Sequence, residues 1–180
     1  QPAHLVAVTG TSGKTSVADF TRQIFTLAGQ RAASIGTLGI VTSAGTRYGS
    51  LTTPDPVALH AALDQLAGEG ITHAALEASS QGLDQRRVDG LRLAAAAFTN
   101  LGRDHMDYHA TVDDYLAAKL RLMDEVVAPD GVAGINADAE HAGEFIAAAK
   151  RRFWRLSTSG ETGEAIKLIG RDTNADTQDL

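Results

Sequence analysis

The sequence predicts an α/β domain, built as a mostly parallel sheet with helices on both faces. Three observations point there. Short apolar runs of strand length recur along the chain, segments with helical spacing alternate with them, and polar clusters rich in Gly, Ser and Thr follow the runs directly. Alternation of this kind pairs strands in parallel through helical crossovers. It also places ligands at the carboxyl ends of the strands.

The elements follow in order. His4 to Thr9 is a buried strand that stops at a glycine turn. Lys14 to Ala28 is a helix with Val17, Phe20, Ile24, Phe25 and Ala28 at helical spacing, closed by Gly29. Arg31 to Gly36 is a second strand, and Thr37 to Asp55 reads as loop or hairpin. Pro56 to Ala67 is a helix entered through proline, with Leu59, Leu63 and Leu66 on one side. Thr72 to Leu76 is a strand ending in Glu77, and Leu93 to Thr99 is another. Thr111 to Val127 is a long helix capped by Thr111, with Tyr115, Ala118, Leu122 and Val126 on its apolar side. Pro129-Asp130-Gly131 turns the chain into strand Val132 to Asn136. Helix Ala139 to Lys150 and strand Phe153 to Leu156 follow.

Composition narrows the partners. The chain has 180 residues, 43% hydrophobic and 21% charged, which suits one domain with a proper core. Its 22 acidic residues against 16 Lys and Arg leave no basic footprint, so no nucleic acid partner is expected. The apolar stretch Leu93 to Phe98 is far too short to span a membrane, and Leu5 to Val8 too short for a secretory signal. The absence of cysteine excludes disulfides, thiolate zinc sites and cysteine nucleophiles, and suits the cytoplasm. The chain opens on Gln1-Pro2 without an initiator Met and closes on a polar run, as a piece of something longer would.

Gly10-Thr11-Ser12-Gly13-Lys14-Thr15-Ser16 lies between the first strand and the first helix. Glycines let backbone N–H groups turn toward an anion, and the helix N-terminus adds partial positive charge. Lys14 would reach the β/γ-phosphates of ATP, and Thr15 would offer a hydroxyl to Mg²⁺. The alternative is a turn with a solvated lysine, since Val8 stands where the longer phosphate-loop pattern has its first glycine. Glu77 ends a strand as a metal-holding carboxylate does, or as a solvated cap does. Asn100, Asp104, His105, Asp107 and His109 concentrate donors within ten residues, fit for metal binding, proton relay or a helix-capping loop. Lys119, taken alone, is a solvated helix lysine.

Together these pieces resemble the central, ATP-binding domain of the Mur ligases. Gly10-Thr11-Ser12-Gly13-Lys14-Thr15 fits the family loop G-T-x-G-K-T/S throughout. Thr99, Asn100, Asp104, His105 and Asp107 meet its pattern T-N-x-x-x-D-H-x-D. Thr52-Thr53-Pro54 and the stretch Glu77 to Val88 look like the MurE type, the ligases that add the third amino acid of the peptidoglycan peptide. The resemblance implies ATP and Mg²⁺ as cofactors, with Gly10 to Ser16 and Asn100 at the nucleotide. It implies a first Mg²⁺ on Thr15 and Glu77, a second on His105, and a carbamylated lysine at Lys119. Thr52, Thr53, Ser79, Gln85 and Arg87 would hold UDP-N-acetylmuramoyl-L-alanyl-D-glutamate, while an amino acid, meso-diaminopimelate or L-lysine, is the second substrate. The expected enzyme is a cytoplasmic monomer. The resemblance further implies that a UDP-binding N-terminal domain, an amino-acid-binding C-terminal domain and the last adenine-contacting segment lie outside residues 1–180. The chain alone is then expected not to ligate.

Overall fold

The computed structural model describes residues 1–49, 51–102, 108–150 and 152–158, with the backbone of short strands at 166–167, 172–173 and 178–179. In chain order the elements are β1 (His4–Thr9), α1 (Lys14–Leu27), β2 (Ala32–Gly36), β3 (Gly39–Thr42), β4 (Gly45–Arg47), α2 (Pro56–Gly68), β5 (His73–Glu77), α3 (Ser80–Asp84), β6 (Leu93–Phe98), α4 (Val112–Arg121), β7 (Val127–Asn136), α5 (Ala142–Ala148) and β8 (Arg152–Ser157). The two-residue strands β9 (Ile166–Lys167), β10 (Asp172–Thr173) and β11 (Gln178–Asp179) follow.

Among the described residues one sheet runs in the order β4-β3-β2-β5-β1-β6-β7-β8-β9. From β2 to β9 every neighbouring pair is parallel, and the β3–β4 hairpin adds an antiparallel edge. The chain leaves β1 toward one side of the sheet, fills in β5, and then crosses to the other side with β6. The order therefore reverses at β1, and a crevice opens beyond its carboxyl end.

Strand alternation divides the core. Leu5, Ala7, Ala33, Ile35, Ala74, Leu76, Phe98 and Ile135 face the same way and pack with Leu59, Leu63 and Leu66 of α2, Leu122, and Phe145 of α5. Val8 and Ala75 face the other way, against Ala18 of α1. The expected two-sided coverage is thus present. The apolar spacing of α1 does not by itself mark its buried side: Phe20 and Ile24 are exposed, and Ala18 meets the sheet. A small residue lets the helix lie close, and the rotation that brings Ala18 inward also carries Thr15, one turn earlier, to the sheet edge. An apolar groove of about 390 Å³, lined by Val6, Val8, Val17, Ala95, Ala97 and Trp154, runs along this face.

Three other expectations change. The long helix ends at Arg121 and widens into a π-helical turn, Leu122–Val126, before β7. Pro129-Asp130-Gly131 is a bulge inside β7 and not a free turn, because register passes from Leu93↔Val127 to Ala95↔Val132. Gly131 suits the bulge, since a Cβ would come 2.6 Å from Val127 Cγ1 and 3.0 Å from the Ala128 and Leu93 carbonyls. The last helix is shorter than expected, as 137–141 forms turns before α5 begins.

Candidate active site

Four strand ends meet at the crevice: the loop after β1, Gly36 at the end of β2 with Thr37 after it, Glu77 at the end of β5, and Thr99-Asn100 after β6. Gly10 and Gly13 have φ of 150° and 83°, backbone shapes that favour glycine. A Cβ at Gly10 would lie 1.9 Å from the Thr99 hydroxyl. The loop is therefore pressed against the β6 segment. Thr99 Oγ1 donates to Ser12 O at 2.7 Å, Ser12 N donates to Asn100 Oδ1 at 3.0 Å, and Asn100 Nδ2 donates back to Ser12 O at 3.2 Å. Thr11 N donates to Asn100 O at 2.8 Å. Asn100 acts as a brace that holds the loop's shape through Ser12.

Lys14 Nζ curls over the loop and donates to the carbonyls of Gly10 and Thr11, each at 2.9 Å. Ser16 is exposed on the first turn of α1. Thr15 Oγ1 donates to Glu77 Oε2 at 2.9 Å. Glu77 is 2% exposed, and its other oxygen accepts from Thr37 N at 2.8 Å. A carboxylate and a hydroxyl set face to face beside a phosphate loop form an oxygen donor pair that fits Mg²⁺, which completes its shell with phosphates and water. His105, with Asp104 and Asp107, lies outside the described residues.

Lys119 is not a solvated lysine. It is 1% exposed, its ammonium donates to Gly10 O at 2.8 Å, and it lies 4.5 Å from the centre of the Tyr115 ring. Tyr115 stands one turn before Lys119 on α4, and its hydroxyl meets Thr11 Oγ1 at 2.9 Å. Two lysines, from α1 and α4, thus share the Gly10 carbonyl.

The candidate substrate residues gather on the other wall. Thr53, buried, donates to Glu77 O at 2.8 Å and accepts from Ser79 N at 3.0 Å. Ser79 caps α3 by accepting from Gly82 N. Arg87 donates to Thr53 O at 2.8 Å and is gripped by Gln85 Oε1 at 2.6 Å. Gln85 therefore acts on the site through Arg87. Its amide also donates to the Tyr108 hydroxyl, which in turn donates to Asp84 at 2.7 Å. The hydrogen bond to Asp84 pushes the Tyr108 phenol above its usual range, so it keeps its proton. Lys14, Thr15, Thr52, Thr53, Glu77, Ser79 and Arg87 all border one polar cavity of about 450 Å³.

Sequence reasoning missed Thr37, Tyr108 and Tyr115 as members of this site. Tyr115 carried a usable signal, its helical spacing to Lys119. Thr37 carried none beyond a place at a strand end.

A doubly wound sheet with a glycine loop between its first strand and helix, faced by a strand-end carboxylate, is the architecture of a P-loop nucleotide-binding domain. The sequence pattern of the Mur ligase middle domain matches residues 8–179, and the chain belongs to that family. It is 60% identical over 164 residues to the UDP-N-acetylmuramoyl-L-alanyl-D-glutamate--2,6-diaminopimelate ligase of Bradyrhizobium diazoefficiens, covering 91% of this chain and 34% of that protein. The ligase of the same name from Rhizobium meliloti is 59% identical over 168 residues, 93% of this chain and 35% of the relative. A solved structure of a ligase so named superposes with a TM-score of 0.86 at 33% identity, over 99% of this chain and 36% of that one. The chain spans about a third of the length of these relatives. Among the described residues, no helix is long and apolar enough to cross a membrane.

Proposed function

We propose that this chain is the ATP-binding part of a ligase that joins a third amino acid to UDP-N-acetylmuramoyl-L-alanyl-D-glutamate during peptidoglycan precursor synthesis. The names of the relatives favour diaminopimelate over lysine. The observation that carries the reading is the single cavity in which the phosphate loop and Glu77 confront Thr52, Ser79 and Arg87. A ligase of this kind must bring ATP and a second anionic substrate into one chamber.

In the proposed reaction the substrate's D-Glu carboxylate attacks the γ-phosphate of ATP, ADP departs, and an acyl phosphate forms. The amine of the incoming amino acid then displaces phosphate and makes the amide. The chain's own part is positioning. Amides of the loop receive the phosphates, and Lys14 exchanges the Gly10 and Thr11 carbonyls for phosphate oxygens. Arg87, held planar and in place by Thr53 O and Gln85, is aimed at an anionic group of the nucleotide-sugar substrate. Thr15 and Glu77 would hold Mg²⁺, which neutralises charge on the transferring phosphoryl group when bound. His105 is proposed for the second Mg²⁺. Lys119 is the proposed carbamylation site: a carbamate nitrogen retains one N–H, enough to keep the Gly10 carbonyl as its acceptor. The enzyme is proposed to work as a cytoplasmic monomer, with the reaction assigned to the full-length protein and none to this chain alone.

The test is amide formation by the full-length protein supplied with ATP, Mg²⁺, the UDP-linked dipeptide and diaminopimelate. Turnover is expected, and Lys14→Ala should lower kcat by about a hundredfold or more. No turnover with this set, or equal turnover when the acceptor is UDP-N-acetylmuramoyl-L-alanine, overturns the reading.

A further inference from the structure

Thr37 belongs to none of the motifs that located the site, yet it touches both of its walls. Its amide donates to Glu77 Oε1 at 2.8 Å, and its hydroxyl donates to Glu77 Oε2 at 3.4 Å. The same hydroxyl lies 3.0 Å from Thr52 Oγ1. Proton counting sets the direction of this chain of contacts. Thr37 Oγ1 donates to Glu77 Oε2, so its single hydroxyl proton points to the carboxylate. Either hydroxyl could donate in the Thr37–Thr52 contact on distance alone; with the Thr37 proton on Glu77, Thr52 is the donor. The order is Thr52 to Thr37 to Glu77, from the substrate wall to the wall that carries the candidate metal carboxylate. Gly36 makes the approach possible: a Cβ there would stand 1.9 Å from Glu77 Oε1. Sequence distance emphasises the bridge, since Thr37 lies 15 residues from Thr52 and 40 from Glu77.

We propose that Thr37 is a positioning residue that couples the two substrate sites, and the proposal rests on the ligase reading above. Its hydroxyl aims Glu77 toward Mg²⁺·ATP while taking the proton of Thr52. Thr52 is thereby left as an acceptor toward the cavity, suited to an N–H or O–H of the nucleotide-sugar dipeptide and unsuited to its carboxylates. Occupancy of Thr52 by such a donor stiffens the bridge, so binding at one wall strengthens binding at the other, and by linkage the effect is reciprocal.

The test compares full-length wild type, Thr37→Val and Thr37→Ser by calorimetric titration of Mg²⁺ with a non-hydrolysable ATP analogue, with and without the UDP-linked dipeptide. Valine keeps the β-branched shape and the amide bond to Glu77 but lacks the hydroxyl. Loss of one such hydrogen bond is expected to weaken the Mg²⁺-dependent binding of the analogue about two- to tenfold. Thr37→Val should also abolish the gain in analogue affinity that the dipeptide brings to wild type. Thr37→Ser should restore both. Wild-type binding by Thr37→Val, or equal impairment of the serine and valine variants, overturns the proposal. If wild type binds the analogue yet shows no gain from the dipeptide, coupling is overturned. That result leaves the ligase reading to its own turnover assay, so the two failures are distinguishable.

Discussion

Substituting Gly36 by alanine is the sharpest perturbation of this site, because it replaces a hydrogen by a methyl group at a point where the structure has no room. The new Cβ would stand 1.9 Å from Glu77 Oε1, 2.5 Å from its Cδ and 2.6 Å from its Cγ. Ordinary contact begins at 3.4 Å, so the carboxylate must retreat by about 1.5 Å. Glu77 is buried, and the backbone of β5 is held between β1 and β2, so the side chain has to move and the strand cannot. A retreat of that size breaks the bonds at 2.9 Å to Thr15 and at 2.8 Å to Thr37 N. Overpacking of this kind costs about 1–3 kcal/mol of stability. Breaking even one of these two hydrogen bonds adds about 1.5–3 kcal/mol to the cost of presenting the carboxylate, so a loss of at least roughly ten- to a hundredfold in Mg²⁺-dependent nucleotide affinity is expected. Calorimetric titration with a non-hydrolysable ATP analogue reads the affinity, and thermal melting in the absence of nucleotide reads the strain. A Gly36→Ala variant that bound the analogue within about twofold of wild type would refute the placement of Glu77 against this glycine.

Two further perturbations test the scaffold. Thr53→Val should cost about 1–3 kcal/mol in denaturant melts, because Glu77 O and Ser79 N are left without their buried partner, while Thr53→Ser should melt close to wild type. Equal stability of the valine variant would remove Thr53 as the pin between β5 and the substrate wall. At the opposite edge of the sheet His73 stacks on His4 with ring centres 4.5 Å apart. Partial burial, and secondarily the charge of His4, hold the His73 imidazole below its ordinary value of 6.5. The unfolded chain then takes up a proton first on acidification. Stability is full above pH 6.5 and declines as the pH falls below it toward the folded-state value. Urea melts on either side of that pH should show the decline in wild type and a weaker one in His73→Gln; identical pH profiles would refute it.

The order of elements was legible because it rests on local pattern. Strand β1, its glycine loop and the helix after it announce themselves between His4 and Leu27, since apolar runs, glycine and helical spacing act over a few residues each. The same holds for α2, where Pro56 marks the start and three leucines mark the buried side, while the capping of the helix by Asp55 emerged only from the structure. The rotation of α1 was not legible. Its apolar spacing, with Phe20 and Ile24, did not by itself mark the buried side, which close packing of Ala18 on the sheet selected. Nor was the π-helical turn after Arg121, which changes hydrogen-bond spacing without changing composition.

For the site, the sequence by itself marked the candidate phosphate loop, the strand-end position of Glu77, Thr52 and Thr53 in one short stretch and Ser79 and Arg87 in another, because each stretch is a pattern of neighbours in the chain. Only the tertiary structure decided what these groups do to one another. It buried Lys119 under Gly10, turned Asn100 into a brace for Ser12, and brought Thr37 between Thr52 and Glu77. These contacts join residues 15 to 109 positions apart. They exist because the parallel sheet reverses its strand order at β1 and gathers the carboxyl ends of β2, β5, β1 and β6 at one edge, a convergence set by packing over the whole domain.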